Sequence, residues 1–86
     1  MNGNDIVKSA MSESGITQLK MSELLGYTSQ ATVSQRLNTP RMSLDKFVEM
    51  LSVIGYEVVV RKTKVDQETG EVTKEDKWVV RAKKEG

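Results

Sequence analysis

The amino-acid sequence predicts an α+β fold that is mainly α: four to five short helices followed by a C-terminal β-hairpin, a two-stranded antiparallel ribbon. Three observations carry this expectation. Apolar residues recur at spacings of three and four from Ile6 to Ile54. That stretch is interrupted at Gly15, at Gly26 and at the run Asn38-Thr39-Pro40, each a place where a helix stops. After Gly55 the apolar period falls from about 3.6 to about 2 and β-branched residues dominate, as a strand requires. The chain of 86 residues therefore divides into a helical domain, 1–55, and a hairpin with a basic tail, 56–86.

The elements follow in order. Asn4 or Asp5 can cap a first helix running to Ser14, with Ile6, Val7, Ala10 and Met11 as its apolar stripe and Gly15 at its end. In a second helix Leu19, Met21, Leu24 and Leu25 supply the apolar positions, leaving Gln18, Lys20 and Glu23 for solvent or a partner. Gly26 sits where the chain must reverse, because glycine takes the left-handed conformation of a helix end without a Cβ clash. Thr28 and Ser29 are candidate N-caps of a third helix whose inward side is carried by Val33 and Leu37. Proline lacks a backbone donor and restricts the residue before it, so Asn38-Thr39-Pro40 ends that helix. Ser43 then caps a fourth, striped with Leu44, Phe47, Val48, Leu51 and Ile54. The five methionines read as gap-filling core residues.

In the hairpin, Tyr56 to Val65 and Val72 to Arg81 flank a turn cluster from Asp66 to Gly70. Pairing Val65 with Val72 would set Val58 against Val79 and Val59 against Trp78, placing apolar side chains on both faces near the base. One face could cover the helices. The other cannot be buried by a two-stranded element alone, so Tyr56, Val58, Val59, Val60, Trp78, Val79 and Val80 are expected to form a homodimer interface.

The third helix carries the functional expectation. Gln30, Ala31, Thr32, Ser34 and Gln35 are left on its outer face. Amides, hydroxyls and a small methyl group suit base edges in a major groove, with Gln30 placed to make a bidentate pair with adenine. A purely solvated face would more often carry Glu and Lys.

On these residues the segment from Thr17 to Asn38 resembles the helix-turn-helix of the phage repressor and Cro family, the xenobiotic-response-element family. The matching pattern is Thr17-Gln18, the small Ser22, the turn glycine Gly26 and the run Thr32-Val33-Ser34. Arg36 stands where the family usually has an apolar residue, with Leu37 taking that role, and the turn is one residue longer than the common form. The resemblance covers about residues 4 to 55. It implies a repressor-like helix-turn-helix domain, and some regulators and antitoxins of the family dimerise through added β-strands.

Composition narrows the alternatives. There is no cysteine and no histidine, so Cys/His zinc sites, disulfides, thiol nucleophiles and histidine acid-base chemistry are excluded, and neither metal nor cofactor is expected. The Asp, Glu, Lys and Ser residues form no converging constellation, so the chain does not read as an enzyme. No apolar run approaches a membrane span, which makes the cytoplasm the default location. Net charge is only +1. Because phosphate neutralisation supplies much of DNA affinity, location of charge matters more than its sum. Lys20, Arg36 and Arg41 lie in or beside the two-helix unit, and Gln18, Ser29, Arg36, Asn38 and Arg41 are the expected phosphate contacts.

The expected function is a sequence-specific, double-stranded-DNA-binding transcriptional regulator, in its simplest form a repressor. It would act as a homodimer on an inverted repeat whose half-sites lie about 34 Å apart. Two rival readings stand beside it. One is an antitoxin that binds its own operator and a toxin, the latter through the ribbon or the tail from Arg81 to Gly86; the other is a protein-interaction module without DNA binding, favoured by the near-neutral charge.

Overall fold

The computed structural model describes residues 1–82; Lys83 to Gly86, the end of the basic tail, lie outside the described residues. Four helices, α1 (Gly3–Ser14), α2 (Gln18–Leu25), α3 (Gln30–Asn38) and α4 (Leu44–Val53), precede an antiparallel pair, β1 (Val58–Val65) and β2 (Val72–Val80).

Each helix is started by a hydroxyl or amide side chain that accepts a bond from the otherwise orphaned N–H groups of the first turn. Thr17 accepts from Lys20, Ser29 from Ala31 and Ser43 from Lys46. At α1 the cap is Asn2, which forms a reciprocal capping box with Asp5, rather than Asn4 or Asp5. Asn4 is instead buried, with its side chain turned toward α3. Gly15 and Gly26 adopt φ of 68° and 75°, the left-handed region that ends α1 and α2.

The helices meet on one core. Its four fully buried large side chains are Val7, Met21, Val33 and Met50, one from each helix. Ala10, Met11, Leu37 and Leu51 complete the cluster, with Ile16, Leu25, Tyr27, Met42, Phe47 and Ile54 packed at its margin. Burial of one such side chain is worth roughly 1.5 to 3 kcal/mol, so this cluster is where the helical unit gets its cohesion. Some apolar positions read from spacing lie outside it. Leu19, Leu24, Leu44 and, marginally, Ile6 are exposed, Leu44 by 62%. Helix α2 has only eight residues and turns Met21 and Ser22 inward, while Leu44 precedes the point where α4 reaches the core. Met1 is also exposed, so not every methionine fills the interior.

The ribbon departs more from expectation. Val65 pairs with Val72 and Arg61 with Asp76 in the expected register, but an irregularity between Val60 and Arg61 leaves Lys77 as an extra residue. The base is therefore shifted by one: Val58 opposes Val80, Val59 opposes Val79 and Val60 opposes Trp78. At the tip, Asp66 organises the turn: its Oδ1 accepts from the Glu68 N–H at 2.9 Å, and its carbonyl accepts from the Gly70 N–H at 2.8 Å. Neither face covers the helices along its length. Only Tyr56 and Val58, at the base, pack against the core, and the molecule is drawn out to 55 × 29 × 23 Å.

Candidate nucleic-acid interface

The position of α3 is fixed at both ends. On the entering side, the left-handed Gly26 lets the Tyr27 N–H donate to the Ser22 carbonyl at 2.9 Å, so α2 and α3 are joined by only four residues. Ser22 is buried, and its hydroxyl donates to the Leu19 carbonyl at 2.6 Å. On the leaving side, Asn4 Nδ2 donates to the carbonyls of Leu37 at 2.8 Å and Thr39 at 2.6 Å, with Arg36 further off at 3.4 Å. A residue from α1 thus satisfies the carbonyls that the last turn of α3 leaves open. Val33 and Leu37 hold the inner face.

What remains is an outer face without an acidic residue. Gln30, Ala31 and Gln35 are exposed, while Thr32 and Ser34 are half-buried. Asn38 Nδ2 donates to the Ser34 carbonyl at 2.9 Å and lies 3.4 Å from its hydroxyl, so Ser34 and Asn38 already engage each other. Ser29 is committed as the N-cap. Gln18 opens α2 in an exposed position.

Arg36 is less free than its sequence position suggests. Its guanidinium lies 5.4 Å from the centroid of the Tyr27 ring, and Arg36 Nε is buried without a hydrogen-bond partner among the described residues. Stacking on an aromatic face is worth about 0.5 to 2 kcal/mol and holds the cation beside the turn. Beyond it, Arg36, Arg41 and Lys46 line a shallow depression of about 210 Å³ with Thr39, Met42 and Ser43. Lys46 Nζ also reaches Glu49 Oε2 at 3.5 Å. Three cations at one edge of α3, next to the capped start of α4, make a local basic rim on a chain of nearly neutral total charge.

Lys46, Tyr27 and Asn4 were not among the expected site residues. Lys46 carried a usable signal, since it occupies the first turn of a helix capped by Ser43. Asn4 carried none: its partners lie 32 to 35 positions along the chain.

The expected dimer residues divide. Tyr56 belongs with the helices: it packs on the core, and its hydroxyl accepts from Ser14 Oγ at 3.2 Å. Val58 and Val80 are half-buried at the ribbon base, whereas Val59, Val60, Trp78 and Val79 are exposed, Trp78 by 68%.

Compared with known proteins, the chain matches no family model, no curated protein and no solved structure. No described helix is long and apolar enough to cross a membrane.

Proposed function

We propose that the protein is a sequence-specific DNA-binding regulator that reads duplex DNA with α3 as the second helix of a helix-turn-helix, and acts as a homodimer held through the ribbon. The observation that carries this reading is the combination at α3. An outer face free of acids presents unengaged glutamines and a small alanine, both helix ends are fixed by side chains, and Arg36, Arg41 and Lys46 gather at its edge. Base-edge readout needs polar groups on a rigid, protruding helix. Phosphate contact needs cations beside it rather than on it. In this reading Gln30, Ala31 and Gln35 face bases, with Thr32 and Ser34 lining the approach. Gln18, Ser29, Asn38, Arg41 and Lys46 lie toward phosphates, while Arg36 acts from its stack on Tyr27. As a repressor the dimer would work by covering a promoter.

Selection of bound duplexes from a random library tests the reading directly. The expected product is an inverted repeat with half-sites about one helical turn apart. In the selected site, Gln30→Ala or Gln35→Ala lowers discrimination at one base pair by about 1 to 3 kcal/mol with folding intact, whereas Arg41→Ala weakens all sequences alike and reduces the salt slope by about one for each phosphate it had neutralised. A library that yields no enriched sequence overturns the proposal.

A further inference from the structure

We infer that one face of the ribbon, together with the groove where the ribbon base meets α4, is a self-complementary surface for a second copy of this chain, each copy seating its Trp78 in the other's groove. The inference rests on the homodimer reading above and specifies where that dimer forms.

The pairing of β1 with β2 sorts the apolar residues by face. Cross-strand partners point the same way and neighbours along a strand alternate. Val58, Val80, Val60 and Trp78 therefore share one face; Val59 and Val79 share the other, where the Arg61–Asp76 ion pair at 2.8 Å follows at once and ends the apolar run. The first face does not stop at the ribbon. Val58 and Val80 also line an open groove of about 1070 Å³ whose opposite wall is α4, with Val48, Ser52 and Val53. A groove floor of valines, rimmed by polar and charged side chains, thus adjoins the ribbon base and leads to Val60 and Trp78.

This surface holds a knob and a hole side by side, Trp78 protruding and the groove receding. A two-fold axis between two copies brings each knob to the other's hole, the requirement of an isologous contact. Charge agrees. Asp45, Glu49 and Glu57 outnumber Lys46 and Arg81 around the groove, and on the Trp78 face further out along the ribbon Lys62 and Lys64 outnumber Glu75, the cross-strand partner of Lys62. Antiparallel packing of the two faces carries those lysines over the partner's acidic rim. Area requires the groove as well. A tryptophan buries roughly 150 to 250 Å², a minor share of the roughly 800 Å² per partner in a stable interface.

Edge-to-edge pairing of two ribbons is the competing arrangement, and the ribbon resists it. The extra residue at Lys77 disrupts the β2 ladder, and β1 carries Arg61, Lys62 and Lys64, so like charges would oppose each other in an antiparallel β1–β1 pair.

Trp78 is the sole tryptophan, so its fluorescence reports this surface alone. Sedimentation and tryptophan emission of the full-length protein are followed together over nanomolar to high-micromolar concentration. The expected result is a blue shift and loss of acrylamide quenching that track dimer formation. Val60→Thr and Ser52→Lys, both at exposed positions and each suited to its strand or helix, should raise the dimer dissociation constant, and Trp78→Thr should raise it by roughly 30-fold or more. Val59→Thr and Val79→Thr on the opposite face should leave it within about threefold. Circular dichroism of each variant verifies that the fold is kept. A dimer in which Trp78 stays quenchable, or which only the opposite-face variants dissociate, overturns this inference while the homodimer reading stands. A monomer at every concentration overturns both. Shielding of Trp78 by added duplex instead of by protein concentration assigns the face to DNA and overturns the inference.

Discussion

The helical unit and the ribbon use apolar residues in opposite ways. In the helices each element contributes one side chain with no exposure at all, Val7, Met21, Val33 and Met50, and these meet in one cluster. In the ribbon, Val59, Val60, Val65, Val72, Trp78 and Val79 are all exposed, and past Val58 no strand residue packs on the core. β1 and β2 pair from Val58–Val80 to Val65–Val72 with one interruption at Lys77, yet two strands without a covered face are marginal in water. The difference teaches that the two regions are stabilised in different ways. The first buries its apolar side chains against one another; the second leaves most of its own uncovered within the chain.

The sharpest way to break that comparison is to separate the regions. A chain ended after Val58 retains the whole core together with the packing of Tyr56 and Val58. It should fold, give a helical circular dichroism spectrum and sediment as a monomer. Its affinity for the selected inverted repeat should fall by roughly 100- to 10,000-fold, since the second half-site is no longer linked to the first. An unfolded product would show that the ribbon stabilises the helices, and undiminished affinity would show that it does not join two readers.

The order and type of every described element were legible in the sequence, because helix stripes, capping hydroxyls and the change of period at Gly55 are local signals. The capping roles of Ser29 and Ser43 and the tip pairing of Val65 with Val72 belong to that class. What escaped depends on three dimensions or on one inserted residue. Spacing shows that Leu19, Leu24 and Leu44 are apolar but not that an eight-residue helix, or the first residue of another, leaves them uncovered. Composition does not announce that Lys77 bulges, and every pair between it and the ribbon base moves by one as a result. At the candidate site, the exposed Gln30, Ala31 and Gln35 follow from periodicity. The stack of Arg36 on Tyr27 does not, since nine positions separate them.

Asn4 offers a smaller effect that connects the core to the reading face. Replacing it with alanine leaves the Leu37 carbonyl without its donor in a buried setting and the Thr39 carbonyl without its donor in a part-buried one, which costs about 1 to 3 kcal/mol of stability by denaturant unfolding. Asn4→Asp keeps the shape but cannot donate in its ionised form, and should lose at least as much. If α3 reads DNA, both variants should also lower affinity for the selected site more than for random duplex, with the salt slope unchanged because every phosphate-facing cation is kept. Equal losses on all duplexes would confine Asn4 to stability.

The smallest effect tests whether the ribbon is held by its own charges. Arg61 Nε and Asp76 Oδ1 are 2.8 Å apart, a good geometry, but the side chains are 49% and 62% exposed. Water and salt screen such a pair, and holding two long side chains in one arrangement costs entropy, so its coupling should be at most about 1 kcal/mol. A double-mutant cycle of Arg61→Ala and Asp76→Ala measures that coupling free of other losses. It should shrink further on raising the salt from roughly 0.1 M to 1 M, where the screening length falls to about 3 Å. If the ribbon dimerises as proposed, its stability should then track protein concentration, because a covered apolar face would be the larger contribution. A coupling of several kcal/mol that persists in high salt would reverse this ranking and make the ribbon self-sufficient, removing the physical reason for a partner.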